Sequence, residues 1–213
     1  MSNGYITVPH IYLREYRELP GKEGHNTEHE TGLSLLSAGL REFAGLEVSP
    51  EQLPEILVLS EHKKPALSAP DLCFNISHSH GLAVCAFAPE SVGVDVEMIR
   101  PVRENLARRI LSATEYERFA ISDTSTSSSD EVFMRFWTLK EAYGKQIGLG
   151  ISYPMSDTCF ALPESLPPEG QCLKLSSPVP ELSFFQWKLP DGYILSLCCG
   201  KEYMPEQIML HFL

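Results

Sequence analysis

The sequence predicts an α+β fold: a pseudo-two-fold pair of similar halves, each a long helix packed on a small, mostly antiparallel sheet. Three observations carry this. Apolar residues recur at helical spacing in two long segments, residues 29–43 and 131–147. A set of short, β-rich runs follows each segment. Two strongly apolar hairpin strands, residues 81–88 and 192–199, occupy matching places in the two sets. Residue identity between the halves is weak, so what repeats is a pattern. Two unrelated helix-plus-strand units would produce the same pattern.

The elements follow in order. Leu33, Leu36, Leu40 and Phe43 mark the buried stripe of the first helix, and Gly45 and Pro50 end it. Residues 56–59, 73–76 and 82–87 read as short strands. The turn Ser79-His80-Gly81 joins the last two into a hairpin. A strand at 92–97 closes the first half, expected to span residues 1–100. The second half, 101–213, opens with a helix at 104–119, with Pro101 before it. Residues 124–129 are Ser and Thr only; they have nothing to bury and read as a surface loop. The long helix at 131–147 takes Asp130 as its cap, with Gly148 and Gly150 beyond its end. Strands at 158–162, 183–189 and 193–199 follow, and Asp191-Gly192 is a tight-hairpin signal between the last two.

Composition narrows the function classes. The chain has 213 residues, 43% of them hydrophobic and 21% charged, with a net charge of −11. That is a globular composition, and the acidity argues against broad nucleic-acid binding, which relies on Lys and Arg. The longest apolar run, Leu82–Ala88, is far short of the roughly 20 residues that cross a bilayer. Residues 1–12 lack the basic start and apolar block of a secretory signal. The six cysteines show no metal-site spacing, and several sit inside apolar runs. The expectation is a cytoplasmic protein in a reducing compartment, without disulfides.

Three stretches carry chemistry. In Val92-Gly93-Val94-Asp95-Val96-Glu97, strand alternation sends the valines to the core and sets Gly93, Asp95 and Glu97 on the other face. Two carboxylates on one face repel. Either water screens them at an exposed edge, or they hold a hard divalent cation such as Mg²⁺. In Phe136-Trp137-Thr138-Leu139-Lys140-Glu141-Ala142-Tyr143-Gly144-Lys145, helical spacing puts Glu141 and Lys145 on one face with Trp137 and Gly144. A surface Glu–Lys pair beside a core Trp explains any one of these residues, but not Lys140 and Glu141 among so many apolar neighbours. In Phe74-Asn75-Ile76-Ser77-His78-Ser79-His80-Gly81, hydroxyls, imidazoles and a glycine suit either an anion cradle or a polar turn.

Taken in this order, the three stretches resemble the 4′-phosphopantetheinyl transferases, in particular the larger surfactin-synthetase-activating type, whose single chain is a pseudo-dimer. The motif core runs from Phe74 to Lys145, about a third of the chain. The resemblance implies transfer of the phosphopantetheine arm of coenzyme A to a serine of an apo acyl or peptidyl carrier protein, with release of 3′,5′-ADP. It implies Mg²⁺, with Mn²⁺ as a substitute, held by Asp95, Glu97 and Glu141. Glu141 falls at the general base, Lys145 at the group that stabilises pyrophosphate charge, and Lys140 at a supporting position. Glu115 matches a further acidic residue near the site. Ser77, His78 and Lys64 match coenzyme-A-binding positions, on the side of the first half. Around the first helix the chain departs from the family pattern: Glu28, Glu30 and Ser37 stand where basic residues are common. Arg14, Arg17, Lys22, His25 and His29 are the nearby basic candidates. Arg100, Arg103, Arg108 and Arg109 read either as a solvated face or as a basic patch for an acidic carrier. A Mg²⁺-dependent nucleotide pyrophosphate hydrolase and a non-catalytic carrier-protein binder are the alternatives.

Overall fold

The computed structural model describes residues 6–60, 64–68, 72–122, 128–200 and 203–213. The chain begins with strand β1 (His10–Glu15) and helix α1 (Gly21–Gly39), which continues as a π-helical turn, Leu40–Ala44. A short helix α2 (Leu53–Ile56) leads into a two-stranded ribbon, β2 (Leu57–Leu59) and β3 (Pro65–Leu67). Then come β4 (Cys73–Ser79), β5 (Leu82–Ala88) and β6 (Val92–Met98). Helices α3 (Glu104–Ile110), α4 (Ala113–Ala120) and α5 (Ser129–Gln146) follow. The last strands are β7 (Leu173–Leu175), β8 (Ser183–Leu189), β9 (Tyr193–Cys199) and β10 (Met209–Phe212).

Two four-stranded sheets result, in the orders β10-β1-β5-β4 and β6-β9-β8-β7. All pairings are antiparallel except β1 with β10. The sheets enclose one apolar layer, to which β5 and β6 give Val84, Ala86, Val92, Val94 and Val96, and β9 gives Leu195 and Leu197. Leu35, Leu36 and Leu40 seal the outer face of the first sheet against Ala83, Cys85 and Phe87. Phe136, Leu139 and Ala142 of α5 seal the outer face of the second against Phe184, Ile194 and Cys198. The repeated pattern in the sequence is therefore an α+β fold in which one long helix covers each sheet. Sheet membership crosses the boundary expected after residue 100: β6 pairs with β9, and β10 returns to β1.

Both hairpins form as their turn residues require. His80 and Gly81 have φ of 43° and 89°, and Asp191 and Gly192 have 59° and 78°, the left-handed pairs of type I′ turns. Other elements differ from expectation. Helix α1 starts eight residues early, because its first turns are polar and carry no apolar period that would mark them in the sequence. The helix expected at 104–119 is two helices. Ser112 breaks it with a capping box, accepting from Glu115 N while Glu115 Oε2 accepts from Ser112 N at 2.8 Å. Helix α5 is capped by Ser128, not Asp130, whose carboxylate accepts from Val102 N. The rest of the Ser/Thr run, residues 124–127, lies outside the described residues. No strand forms at 158–162, since the Phe160 N–H donates to Glu115 Oε1 and the Thr158 carbonyl accepts from Lys140. β7 takes the pairing place beside β8 instead. Strands β1, β3, β7 and β10 fall outside the strands that the sequence pattern predicts.

Among the described residues no disulfide links the six cysteines. No described helix is long and apolar enough to cross a membrane.

Candidate functional site

The site grows from the seam between the two sheets. Strands β4 and β6 lie at their facing edges and run in the same direction, joined by side chains instead of a backbone ladder. Asn75 Oδ1 accepts from Val94 N at 2.9 Å, Ser77 Oγ from Val96 N at 3.4 Å, and Ser79 Oγ from Met98 N at 3.4 Å. Every second residue of β4 thus satisfies every second N–H of an otherwise bare edge. The same hydroxyls donate onward to the carboxylates of β6. Ser77 Oγ reaches Asp95 Oδ1 at 2.8 Å, and Ser79 Oγ reaches Glu97 Oε2 at 2.7 Å.

Helix α5 closes the third side. Gly93 lets it approach: a Cβ there would strike the Ala142 carbonyl and the Gln146 backbone nitrogen. The uncluttered face expected beside Asp95 is therefore filled by helix backbone. At this separation Lys145 Nζ donates to Asp95 Oδ1 at 2.6 Å and to Ser77 Oγ at 2.9 Å. Lys145 is thus paired across the seam with Asp95, not with Glu141 on a helix surface. Asp95 is 4% exposed and Glu141 6%, so neither is a solvated edge carboxylate.

A cleft of about 360 Å³ opens here, lined by Ile76, Ser77, His78, Asp95, Glu97, Trp137, Glu141 and Lys145. Burial pushes the Glu141 carboxyl up to about 7, with Asp95 and Glu97 adding to the rise and Lys145 opposing it. Burial also raises Asp95, against the ammonium of Lys145. Burial lowers His78; Glu28, whose Oε2 lies 3.5 Å from its Nδ1, opposes that and Lys145 reinforces it.

Asp95 Oδ2 and Glu141 Oε1 are buried with no hydrogen-bond partner among the described residues. A buried carboxylate oxygen without a donor is costly. Together with Glu97 these atoms make an all-oxygen set, the donor chemistry that suits Mg²⁺ or Mn²⁺. The residues fit such a cation, although among the described residues no three acidic, His or Cys side chains are drawn together into a closed cluster.

Two sequence-derived candidates lie elsewhere. Lys64 does not line the cleft. Its Nζ donates to the carbonyls of Val92 at 2.9 Å and Gln146 at 3.2 Å, tying the start of β6 to the last turn of α5, and burial lowers its ammonium. Lys140 is fully buried on the opposite side of α5. It pairs with Glu115 Oε2 at 2.8 Å and donates to the Met155 carbonyl at 2.7 Å. Glu115 is buried, paired with Lys140 and outside the cleft lining. Of the basic candidates near α1, Arg14 is bonded to Ser34 and His25 to Glu28. Ser79 has a larger part than its turn position suggested, because only the β4–β6 register brings it to Glu97.

A larger groove of about 620 Å³ adjoins the cleft. Phe133, Met134, Trp137 and Leu106 supply apolar lining, and Arg100, Arg103 and Arg109 line it too. Trp137 belongs to both cavities. Arg108 does not line the groove; it pairs with Glu104 at 2.6 Å and lies over the Tyr116 ring.

Comparison with known proteins gives a consistent picture. Residues 91–198 match the 4′-phosphopantetheinyl transferase superfamily. The chain is 30% identical over 152 residues to 4′-phosphopantetheinyl transferase Sfp of Bacillus subtilis, covering 70% of this chain and 65% of that one. It is 33% identical over 135 residues to 4′-phosphopantetheinyl transferase HetI of Nostoc sp., covering 60% and 54%. It is 37% identical over 119 residues to 4′-phosphopantetheinyl transferase AcpT of Salmonella typhi, covering 54% and 59%. The matches thus span somewhat under two thirds of these relatives' lengths. The family match covers the acidic strand, all of α5 and nearly all of the sheet behind them, and on that ground the chain belongs to the 4′-phosphopantetheinyl transferase superfamily.

Proposed function

We propose that this protein transfers the 4′-phosphopantetheine arm of coenzyme A to a serine of an apo carrier protein, releasing 3′,5′-ADP, and that it does so as a Mg²⁺-dependent monomer. One observation carries the reading. Strand β4, strand β6 and helix α5 bring Ser77, Asp95, Glu97, Glu141 and Lys145 to one cleft, with two buried carboxylate oxygens left without a donor.

Asp95, Glu97 and Glu141 would hold the cation. Its contribution when bound is to neutralise the pyrophosphate of coenzyme A during in-line displacement, where positioning and charge do most of the catalysis. Lys145, held by Asp95 and Ser77, offers a second positive charge to the same cleft. Glu141 accepts the proton of the carrier serine, directly or through a water. Ser77 and His78 bind coenzyme A from the side of the first half. A carrier seated in the arginine-lined groove brings its serine to Trp137, the residue shared with the cleft.

The test is incubation with coenzyme A, Mg²⁺ and an apo carrier, followed by mass spectrometry of the carrier. A gain of one phosphopantetheine supports the reading. Free phosphopantetheine with an unmodified carrier selects a pyrophosphate hydrolase. Carrier binding without either product selects a non-catalytic binder. Asp95→Ala, Glu97→Ala and Glu141→Ala should each cut transfer by about 10²–10³-fold, the scale of losing one oriented electrostatic group. The melting temperature of the Glu97 and Glu141 variants should stay near that of the parent, while Asp95→Ala, which strips Lys145 of its partner, should melt lower. Full turnover in excess chelator would refute the metal role.

A further inference from the structure

Beneath α5 lies a buried polar seam that ends at Asp95 and Lys145 but whose other members, Arg135, Thr138, Gln186 and Ser196, no step of the proposed reaction uses. Cross-strand register sets Gln186 on β8, Ser196 on β9 and Asp95 on β6 side by side, so the three side chains form one row on the face that α5 covers. The helix meets this row in order. Arg135 Nη1 donates to Gln186 Oε1 at 3.0 Å, Thr138 Oγ1 lies 2.8 Å from Ser196 Oγ, and Lys145 Nζ donates to Asp95 Oδ1 at 2.6 Å. Gln186 Nε2 also donates to Ser196 Oγ and to the backbone carbonyl of Arg135, each at 2.9 Å. That last bond ties a sheet side chain to helix main chain, so it fixes the helix itself and not merely a rotamer. Arg135, Thr138, Gln186 and Ser196 are all fully buried.

We propose that Thr138, Gln186 and Ser196 are positioning residues that set the axial register of α5 on the sheet, so that Glu141 and Lys145 close on Asp95. The proposal rests on the transferase reading of the cleft. Stability alone does not call for such a seam, because apolar side chains of similar volume are often as stable as buried polar groups. A directional seam admits one register, whereas an apolar one tolerates sliding. The groups that must not slide are near: Glu141 is less than one turn beyond Thr138, and Ser196 is the cross-strand neighbour of Asp95.

The experiment uses Thr138→Val and Ser196→Ala, which remove a hydroxyl with little change of shape, read by transfer kinetics and by crystal structures of the variants. The expected result is a tenfold or greater fall in kcat, with KM for coenzyme A and for carrier within twofold of the parent. Thr138→Ser should recover most of that loss. In the Thr138→Val crystal the Lys145–Asp95 contact should open beyond hydrogen-bonding reach. Parental kcat with that contact intact in both variants would overturn the proposal. If the parent itself modifies no carrier, the transferase reading fails, and the crystallographic separation alone decides the positioning role.

Discussion

Lys140 and Lys145 stand on the same helix and have opposite fates. Lys145 points to Asp95 in the cleft, while Lys140 is sealed against Glu115 and two backbone carbonyls in the core. Five residues at about 100° each turn the side chain to another face, so the spacing states that the two diverge but not which one meets the site. Asp95, Glu97, Glu141 and Lys145 were nameable from residue type and spacing together with the family resemblance. The role of Ser79 and the removal of Lys140 and Lys64 from the cleft were not, because both depend on long-range packing. The core pair makes a prediction. Lys140→Met leaves the buried Glu115 carboxylate without its ammonium and should cost about 3–5 kcal/mol of stability, the usual penalty for breaking a buried pair. Adding Glu115→Gln should recover only part of it: the amide oxygen can still cap α4 without a charge to compensate, but the amide nitrogen then faces the Phe160 N–H that Oε1 accepts from in the parent. Urea unfolding of the parent, single and double variants measures this. A loss below about 1 kcal/mol in the single variant, the range of an exposed pair, would show that Lys140 is not the anchor.

At the scale of elements, the decisive contact is α5 lying on β6. It depends on Gly93, where any side chain would meet the helix backbone. Gly93→Ala should therefore push the last turns of α5 outward, at a cost of about 1–3 kcal/mol as an overpacked contact. The shift should carry Lys145 away from Asp95, so transfer activity should fall by more than the lost stability explains. Melting curves and transfer rates on folded protein at low temperature separate the two effects, and a folded variant with parental turnover would contradict the account. Elements with strong local signals were legible in the sequence. The hairpins at His80-Gly81 and Asp191-Gly192 and the apolar strands β5 and β9 form where turn chemistry and burial placed them. Residues 158–162 form no strand for a physical reason: Phe160 is the one buried side chain among them, and the backbone groups at Thr158 and Phe160 are claimed by Lys140 and Glu115 instead of a neighbouring strand. Strand β10 is not legible in the sequence, because four residues at a sheet edge carry little pattern of their own.

Over the whole molecule the net charge is −11, yet the groove beside the cleft carries Arg100, Arg103 and Arg109. A local basic surface on an acidic body steers an acidic partner to one place and repels it elsewhere. Arg103→Glu and Arg109→Glu should raise the KM for an acidic apo carrier and leave coenzyme A binding unchanged. Raising salt should weaken carrier use by the parent, because exposed charges are screened beyond roughly 8–10 Å at physiological ionic strength. Arg108→Glu is the internal comparison: its guanidinium is already taken by Glu104 and the Tyr116 ring, so its effect should be smaller. Steady-state kinetics at two salt concentrations, varying carrier and coenzyme A separately, checks this. Equal effects from all three variants, or none from Arg103 and Arg109, would mean that recognition does not run through the groove. The charge cluster was visible in the sequence, but its division into groove-lining and self-paired arginines was not, since it depends on where α3 meets α4 and α5.

The pairing of β10 with β1 has a consequence for how the protein is made. His10 and His211 touch across that pair, 201 positions apart in the chain. During synthesis β1, β4 and β5 leave the ribosome long before β10, and β6 leaves long before β9. The nascent chain therefore exposes bare strand edges on β1 and on β6 until β10 and β9 emerge. Such edges invite pairing with other chains. Neither four-stranded sheet is complete until strands that come late in the sequence have been made.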